Sequence, residues 1–221
     1  MKEIPLQKTH KPEITLLNVD CMSYMATLPD KAFDLALVDP PYTDIFYIPA
    51  NSKCAEVKKH YNLDSLSARK PTSIYFEKLK RVSVNQIVWG VNYYEYYLGA
   101  GRIVWDKDNT GVYSDCELAY HSFGNVTRLF KYRWNGMLQQ DMKNKEQRIH
   151  PTQKPVALYN WILRNYAKPG QRILDTHLGS GSSAIAAHYF GCDFVGCEID
   201  IDYFNAARER FDRETRQVAM W

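Results

Sequence analysis

The chain has 221 residues, of which 45% are hydrophobic and 24% charged, with a net charge of +3. This suits one globular domain over residues 1–221 with a real core, and argues against two full domains. With so small a net charge, any basic surface must be local. Residues 122–154 hold seven Lys/Arg against two acids, residues 53–81 hold eight against three, and the stretch from Glu198 onward holds four against six. Two basic zones interleaved with Tyr and Trp suit a polyanion, and they equally suit two solvated loops. Five cysteines are an odd number, without a C-x-x-C pair. They predict reduced core thiols, no disulfide and no metal site. No signal peptide and no apolar run of membrane length is present, so the expected location is cytoplasmic, with no membrane partner.

Taken in chain order, residues 14–18 (ITLLN) predict a strand, and Asp20 caps a short helix through Leu28. Residues 33–38 (FDLALV) show little alternation, as a strand buried on both faces does. Residues 43–71 lack periodicity and predict a long mobile loop. A helix near 72–81 precedes strands at Gln86–Trp89, Arg102–Trp105 and Glu117–His121. Residues 122–150 form a second irregular, basic excursion. A helix from Val156 to Ala167 stops at "KPG"; strand 172–175, helix Ser182–Phe190, strand 193–198 and a closing helix Asp200–Arg216 follow. Alternating strands and helices at both ends indicate an α/β fold with a mostly parallel sheet.

Two turns stand out. Residues 39–42, "DPPY", end the apolar strand with a carboxylate beside two residues that have no backbone N–H; a plain turn accounts for them in isolation. "LDTHLGSGSSAIAA" follows a strand and opens a helix, with Gly179 and Gly181 allowing close approach of a ligand to the backbone. Glu198 ends the next strand, where a carboxylate can accept both hydroxyl protons of a ribose. The same spacing fits the dinucleotide fingerprint of a dehydrogenase, so this segment predicts a nucleoside site without naming the nucleoside.

"DPPY" at 39–42, "HPTQKP" at 150–155, "DTHLGSGSS" at 175–183 and "VGCEIDIDYFNAARER" at 195–210 occur together and in this order. With them the chain resembles the β class of amino-group DNA methyltransferases over nearly its whole length, and "WGVNYY" and "GRIVWDK" look like that family's middle strands. A dehydrogenase explains neither "DPPY" nor "HPTQKP". The resemblance implies a Rossmann-like, seven-stranded methyltransferase sheet, six strands parallel and one antiparallel. Here it is circularly permuted: the chain enters at the third family strand and supplies the first two last. The glycine turn and "DPPY" would then end adjacent strands at the topological switch point, where open α/β sheets bind ligands.

The implied reaction moves a methyl group from S-adenosylmethionine to the exocyclic N6 amine of an adenine flipped out of DNA. Cytosine N4 is the alternative, since "DPPY" is more typical of adenine enzymes and a serine replaces the aspartate more often in cytosine-N4 enzymes. A non-catalytic DNA- or cofactor-binding subunit also stays open. An exocyclic amine offers two protons, so its site should present acceptors. The Asp39 carboxylate and the Pro40 carbonyl can each take one, while Pro40 and Pro41 hold the backbone rigid without a competing N–H. Asp39 also stabilises the positive charge that develops on the amine. A paired base cannot reach such a pocket, and Tyr42 is the natural stacking face for a flipped one.

By the same likeness, Asp20 and the Cys21 backbone should meet the cofactor's adenine. Thr152 and Lys154 should lie near its methionine carboxylate and Asp175 near its methionine end. Gly179, Ser180, Gly181, Ser182, Glu198 and Ile199 complete the cofactor set, with Asp39 beside it. His177 stands where the family usually has Phe, which puts the packing beside the cofactor in question. The 122–150 excursion takes the place of the target-recognition region. Arg128, Lys131, Arg133, Lys143, Lys145 and Arg148 there are candidate DNA contacts, mostly to phosphate. The likeness leaves room for a homodimer and for an associated restriction nuclease.

Overall fold

The computed structural model describes residues 11–42, 70–109, 114–135 and 138–216. The expected loop over 43–71 lies, apart from its last two residues, outside the described residues. The elements in chain order are β1 (Ile14–Asn18), α1 (Cys21–Ala26), β2 (Phe33–Val38), α2 (Ser73–Val82) and β3 (Ser83–Trp89). Next come β4 (Arg102–Asp106), β5 (Cys116–His121), β6 (Thr127–Lys131), β7 (Trp134–Asn135) and β8 (Leu138–Gln139). The chain closes with α3 (Val156–Tyr166), β9 (Arg172–Asp175), α4 (Ser182–Phe190), β10 (Asp193–Glu198) and α5 (Ile201–Thr215).

Local chemistry sets the helix starts. Asp20 accepts from the Ser23 amide at 2.8 Å and caps α1; Asp200 accepts from the Asp202 and Tyr203 amides and caps α5. Gly191, at φ +86°, ends α4 in the left-handed conformation that other residues avoid.

Eight strands form one sheet in the order β1-β10-β9-β2-β3-β5-β4-β6. All are parallel in direction except β5, which opposes both β3 and β4. This is the permuted order expected from the resemblance, with β9 and β10 entering late in the chain yet lying between β1 and β2. The sheet has one strand more than the expected seven, because part of the 122–150 excursion is not irregular. Thr127–Lys131 pairs in parallel with Arg102–Asp106, and Trp134–Asn135 forms a small ribbon with Leu138–Gln139. β6 is an edge strand with a single inward apolar residue, Phe130, stacked on Tyr132 and resting on Trp161 of α3. Exposed Arg128 and Lys131 discourage further pairing on such an edge and also hide the strand from any apolar pattern.

Both faces of the sheet are buried. Leu35 and Leu37 of β2 point to the side covered by α3, α4 and α5, with Ile162, Leu163, Ala186 and Ala207. Ala36 and Val38 point to the side covered by α1 and α2, with Met25, Phe76 and Leu79. Among the cysteines, Cys192 and Cys197 are buried and Cys21 half-buried, whereas Cys116 at the start of β5 is exposed and so is not a core thiol. No described helix is long and apolar enough to cross a membrane.

One buried cation ties three segments of the C-terminal third of the chain together. The Arg210 guanidinium on α5, 1% exposed, donates to the Ser180 carbonyl and Ser182 Oγ, both at 2.9 Å, and to Glu146 Oε2 at 2.7 Å. Glu146 Oε1 in turn accepts from the Val156 amide at the start of α3. Arg210→Met should therefore lower the unfolding free energy by about 3 kcal/mol, since it leaves Glu146 and the Ser180 carbonyl without their buried partner. Urea unfolding of the purified variant measures this directly.

Candidate active site

β2 and β9 are neighbours, with Leu35 opposite Ile173 and Ala36 opposite Leu174. Their parallel register brings Asp39 and Asp175, just beyond β2 and at the end of β9, to the same rim of the sheet. β10 and β1 continue that rim with Glu198 and Asp20. The Asp39 carboxylate accepts the Tyr42 hydroxyl on Oδ1 at 2.7 Å and the Lys154 ammonium on Oδ2 at 2.5 Å. Lys154, whose side chain is 2% exposed, also reaches Glu117 Oε2 at 3.0 Å and Tyr42 Oη at 2.8 Å. An ammonium has three N–H donors, and here each has its own acceptor, so the contact to a cofactor carboxylate expected of Lys154 is not what this arrangement offers. Lys107 pairs with the other oxygen of Glu117. Pro40 carries no N–H, and its carbonyl accepts the Tyr94 hydroxyl at 2.9 Å, which leaves one lone pair unused.

The charges in this cluster are held by one another against burial. Burial raises the Asp39 carboxyl above the usual carboxylate range, with the Lys154 ammonium opposing the rise. Glu117 is also pushed up by burial, but Lys154 and Lys107 together bring it down to about 2. Burial disfavours the Lys154 cation, yet the two carboxylates raise its pKa above the ordinary lysine value. The Tyr42 ring is stacked on Tyr93 at 5.1 Å and 10°, so one face of the expected base platform already has a neighbour. Tyr93 itself is 42% exposed. Glu117, Lys107, Tyr93 and Tyr94 are not among the residues that the motifs single out. Their sequence signals are weak: an acid near the start of a half-buried strand, a lysine closing "GRIVWDK", and the two tyrosines that end "WGVNYY".

The turn after β9 has the form a nucleoside needs. Gly179 and Gly181 have φ of +51° and +76°, and the Gly179 amide donates to Glu198 Oε2 at 3.0 Å. Glu198 Oε1 accepts the Asp200 amide at 3.0 Å. Each Glu198 oxygen thus keeps a lone pair for a ribose hydroxyl. Asp175 accepts Ser183 Oγ at 2.6 Å and the His177 amide at 3.0 Å, and burial pushes its carboxyl up to about 7. Burial holds the His177 imidazole down at about 4, so the ring is neutral; it meets Tyr75 edge-on at 5.6 Å. His177 thus makes a ring contact and also lies with its Nδ1 2.9 Å from Thr176 Oγ1, a polar contact that a Phe would lack.

Ser180 and Ser182 are buried and hydrogen-bonded to one another, and Ile199 is exposed. Burial, then Asp20, pushes the Cys21 thiol up to about 12, so any Cys21 contact falls to its backbone. Thr152 is exposed and its Oγ1 lies 3.1 Å from His150 Nδ1. His150, which opens "HPTQKP" without being given a role there, lies over the glycine turn: a Cβ on Gly179 would sit 3.7 Å from its ring, which also meets Tyr203 edge-on. These features fit a bound nucleoside with a charged tail, S-adenosylmethionine included.

The six candidate DNA contacts are all exposed, but they are not equivalent. Lys131 pairs with Asp108 at 2.8 Å, and Arg133 pairs with the same carboxylate. Arg148 donates to the Pro151 carbonyl. Among the described residues, Arg128, Lys143 and Lys145 have no ion-pair partner. Two of the six candidate DNA contacts therefore share the single carboxylate of Asp108, two residues beyond the neighbouring strand, so their charge is partly offset locally.

Tyr42 owes its place to Gly90, whose φ is +73° and where a Cβ would overlap the Tyr42 ring. Gly90→Ala should displace that ring, and with it the hydroxyl on Asp39, while adding a left-handed backbone cost of about 1–2 kcal/mol. A lower melting temperature together with slower single-turnover methyl transfer checks it; a variant as active and as stable as the parent would mean the ring does not need that seat.

The chain is similar to known DNA methyltransferases in sequence and in fold. The chain is 23% identical over 248 residues to the type II methyltransferase M2.DpnII of Streptococcus pneumoniae, covering 93% of this chain and 92% of that one. Its fold matches the M1.HpyAVI–SAM complex with a TM-score of 0.52 and 19% identity, over 90% of this chain and 99% of that one. It also matches the cytosine-N4-specific PvuII DNA methyltransferase with a TM-score of 0.57 and 13% identity, over 92% and 89%. Residues 38–209, more than half of the sequence, match the N6_N4_Mtase family, and the chain belongs to that family of DNA methylases.

Proposed function

We propose that this DNA methylase acts on the N6 amine of an adenine flipped out of the duplex, with Asp39 and Pro40 as the acceptors of the two amine protons. The observation that supports the proposal is the pairing of β2 with β9, neighbouring parallel strands whose ends lead into Asp39-Pro40 and into the glycine turn on the same rim of the sheet. S-adenosylmethionine, when bound, supplies an electrophilic methyl on a sulfonium. Gly179 and Gly181 would admit it, Glu198 would hold its ribose, and Asp20, Cys21, Thr152 and Ile199 would line its other contacts. Asp39 meets the positive charge that grows on the target nitrogen, an interaction strongest in the transition state. No covalent enzyme intermediate is required. The choice of adenine over cytosine rests on the aspartate at position 39, where cytosine-N4 enzymes more often carry serine.

Incubating mixed-sequence DNA with labelled cofactor, digesting it to nucleosides and separating them should place the label on N6-methyladenine. Label on N4-methylcytosine would move the assignment to the other amine. Asp39→Ala should slow single-turnover transfer by about 100-fold or more while leaving cofactor affinity nearly intact. Lost affinity with transfer preserved would reverse the assignment.

Glu198→Ala should raise the cofactor dissociation constant at least tenfold or so, because each hydrogen bond to a charged acceptor contributes about 1.5–3 kcal/mol. Isothermal titration measures it, and an unchanged constant would remove the ribose role.

A further inference from the structure

We propose that Glu117 is a positioning residue for methyl transfer: it shares the Lys154 ammonium with Asp39 and takes it over when the target amine enters. This rests on Asp39 being the amine's acceptor. The geometry contains a conflict that needs such a residue. In the free chain the Asp39 carboxylate already accepts an N–H donor from Lys154 at 2.5 Å, the same type of contact that the substrate amine must make. A cation fixed on Asp39 would also oppose the positive charge arriving on the target nitrogen. Lys154 is buried and cannot simply move out into water, so it needs a second anion within reach.

Glu117 is that anion. Its Oε2 lies 3.0 Å from the Lys154 ammonium, while Lys107 holds its other oxygen in place from the end of β4. The Tyr42 hydroxyl spans the same gap, 2.7 Å from Asp39 Oδ1 and 3.2 Å from Glu117 Oε2, so its proton can turn from one carboxylate to the other as the ammonium shifts. The exchange redistributes hydrogen bonds and moves no proton between residues. Lys154 thus shields Asp39 in the free chain and rests on Glu117 during transfer.

The other titratable groups that face Asp39 are the Tyr94 and Tyr159 phenols, which burial keeps protonated, and Asp175 on β9. Asp175 titrates near neutrality, but its partners Ser183 and His177 are untouched by any substitution used below.

The test is the pH dependence of single-turnover methyl transfer to duplex DNA, with cofactor binding measured by calorimetry as a check on folding. Transfer needs Asp39 ionised, so the acid limb of the profile follows its pKa. Glu117→Gln removes a like charge and leaves Lys154 wholly on Asp39. Its acid limb should move to lower pH, while its plateau rate falls by about tenfold or more. Lys154→Met removes the neutralising cation, so its acid limb should move to higher pH by about one to three units. Should Glu117→Gln fail to bind cofactor, Lys107→Met serves in its place. It frees Glu117 to draw the ammonium away from Asp39, and should also move the limb to higher pH.

A Glu117→Gln plateau equal to that of the parent, or limbs that stay where they are, overturns the inference. So does a Lys107→Met limb that moves to lower pH. Asp39→Ala is run alongside. If it transfers at the parent rate, the acceptor role of Asp39 falls and this inference with it. If it is inert while the other limbs stay still, this inference alone is wrong.

Discussion

The ladder between β2 and β9 is the constraint on which the site depends. Two registered pairs, Leu35 with Ile173 and Ala36 with Leu174, hold together strands that enter the fold at opposite ends of the chain. Both strands are parallel and buried on both faces, so their carboxyl ends open onto the same rim. Slipping that register by one residue would turn the inward side chains to the opposite face of the sheet and separate Asp39 from the glycine turn. The position of the active site is therefore a consequence of core packing and strand order more than of any contact within the site.

A second consequence is electrostatic. Strand order sets β5 beside β3, which brings Glu117 toward Asp39, and the stretch before α3 delivers Lys154 between them. Two anions and two cations, Asp39, Glu117, Lys154 and Lys107, then balance in a site largely closed to water. Isolated, any one of these charges would be costly to bury. Together they hold the Asp39 carboxylate against a buried cation at the rim where, on the proposed reading, positive charge develops. The Arg210–Glu146 pair solves the same problem on the other side of the glycine turn, where it joins that turn to the beginning of α3.

The surface expected to meet DNA is shaped by the same long-range pairing. β6 aligns with β4, so Lys131 and Arg133 come within reach of Asp106 and Asp108 at the end of β4. Their charge is partly spent inside the protein. Such exposed pairs are weak in water and can be exchanged for a phosphate at modest cost, unlike the buried pair at Lys154. Counting basic residues along the excursion overstates the positive field it projects.

What the amino-acid sequence determined by itself is what local chemistry controls. Asp20 and Asp200 are caps because a carboxylate three residues from an unsatisfied amide can reach it. The glycine turn, the proline-bounded end of β2 and the stop at "KPG" were legible for the same reason: they depend on backbone freedom and short spacing, whereas the permuted strand order was implied by the family resemblance. Only the tertiary structure decided the rest. β6 was hidden because an edge strand buries a single apolar residue, Phe130, and period-two alternation cannot be read from one position. Glu117 on Lys154, Asp108 on Arg133, Arg210 on Glu146 and His150 over Gly179 are contacts between residues far apart in the chain. Coulomb attraction and ring packing act through space, so their partners are chosen by the order in which the strands lie in the sheet.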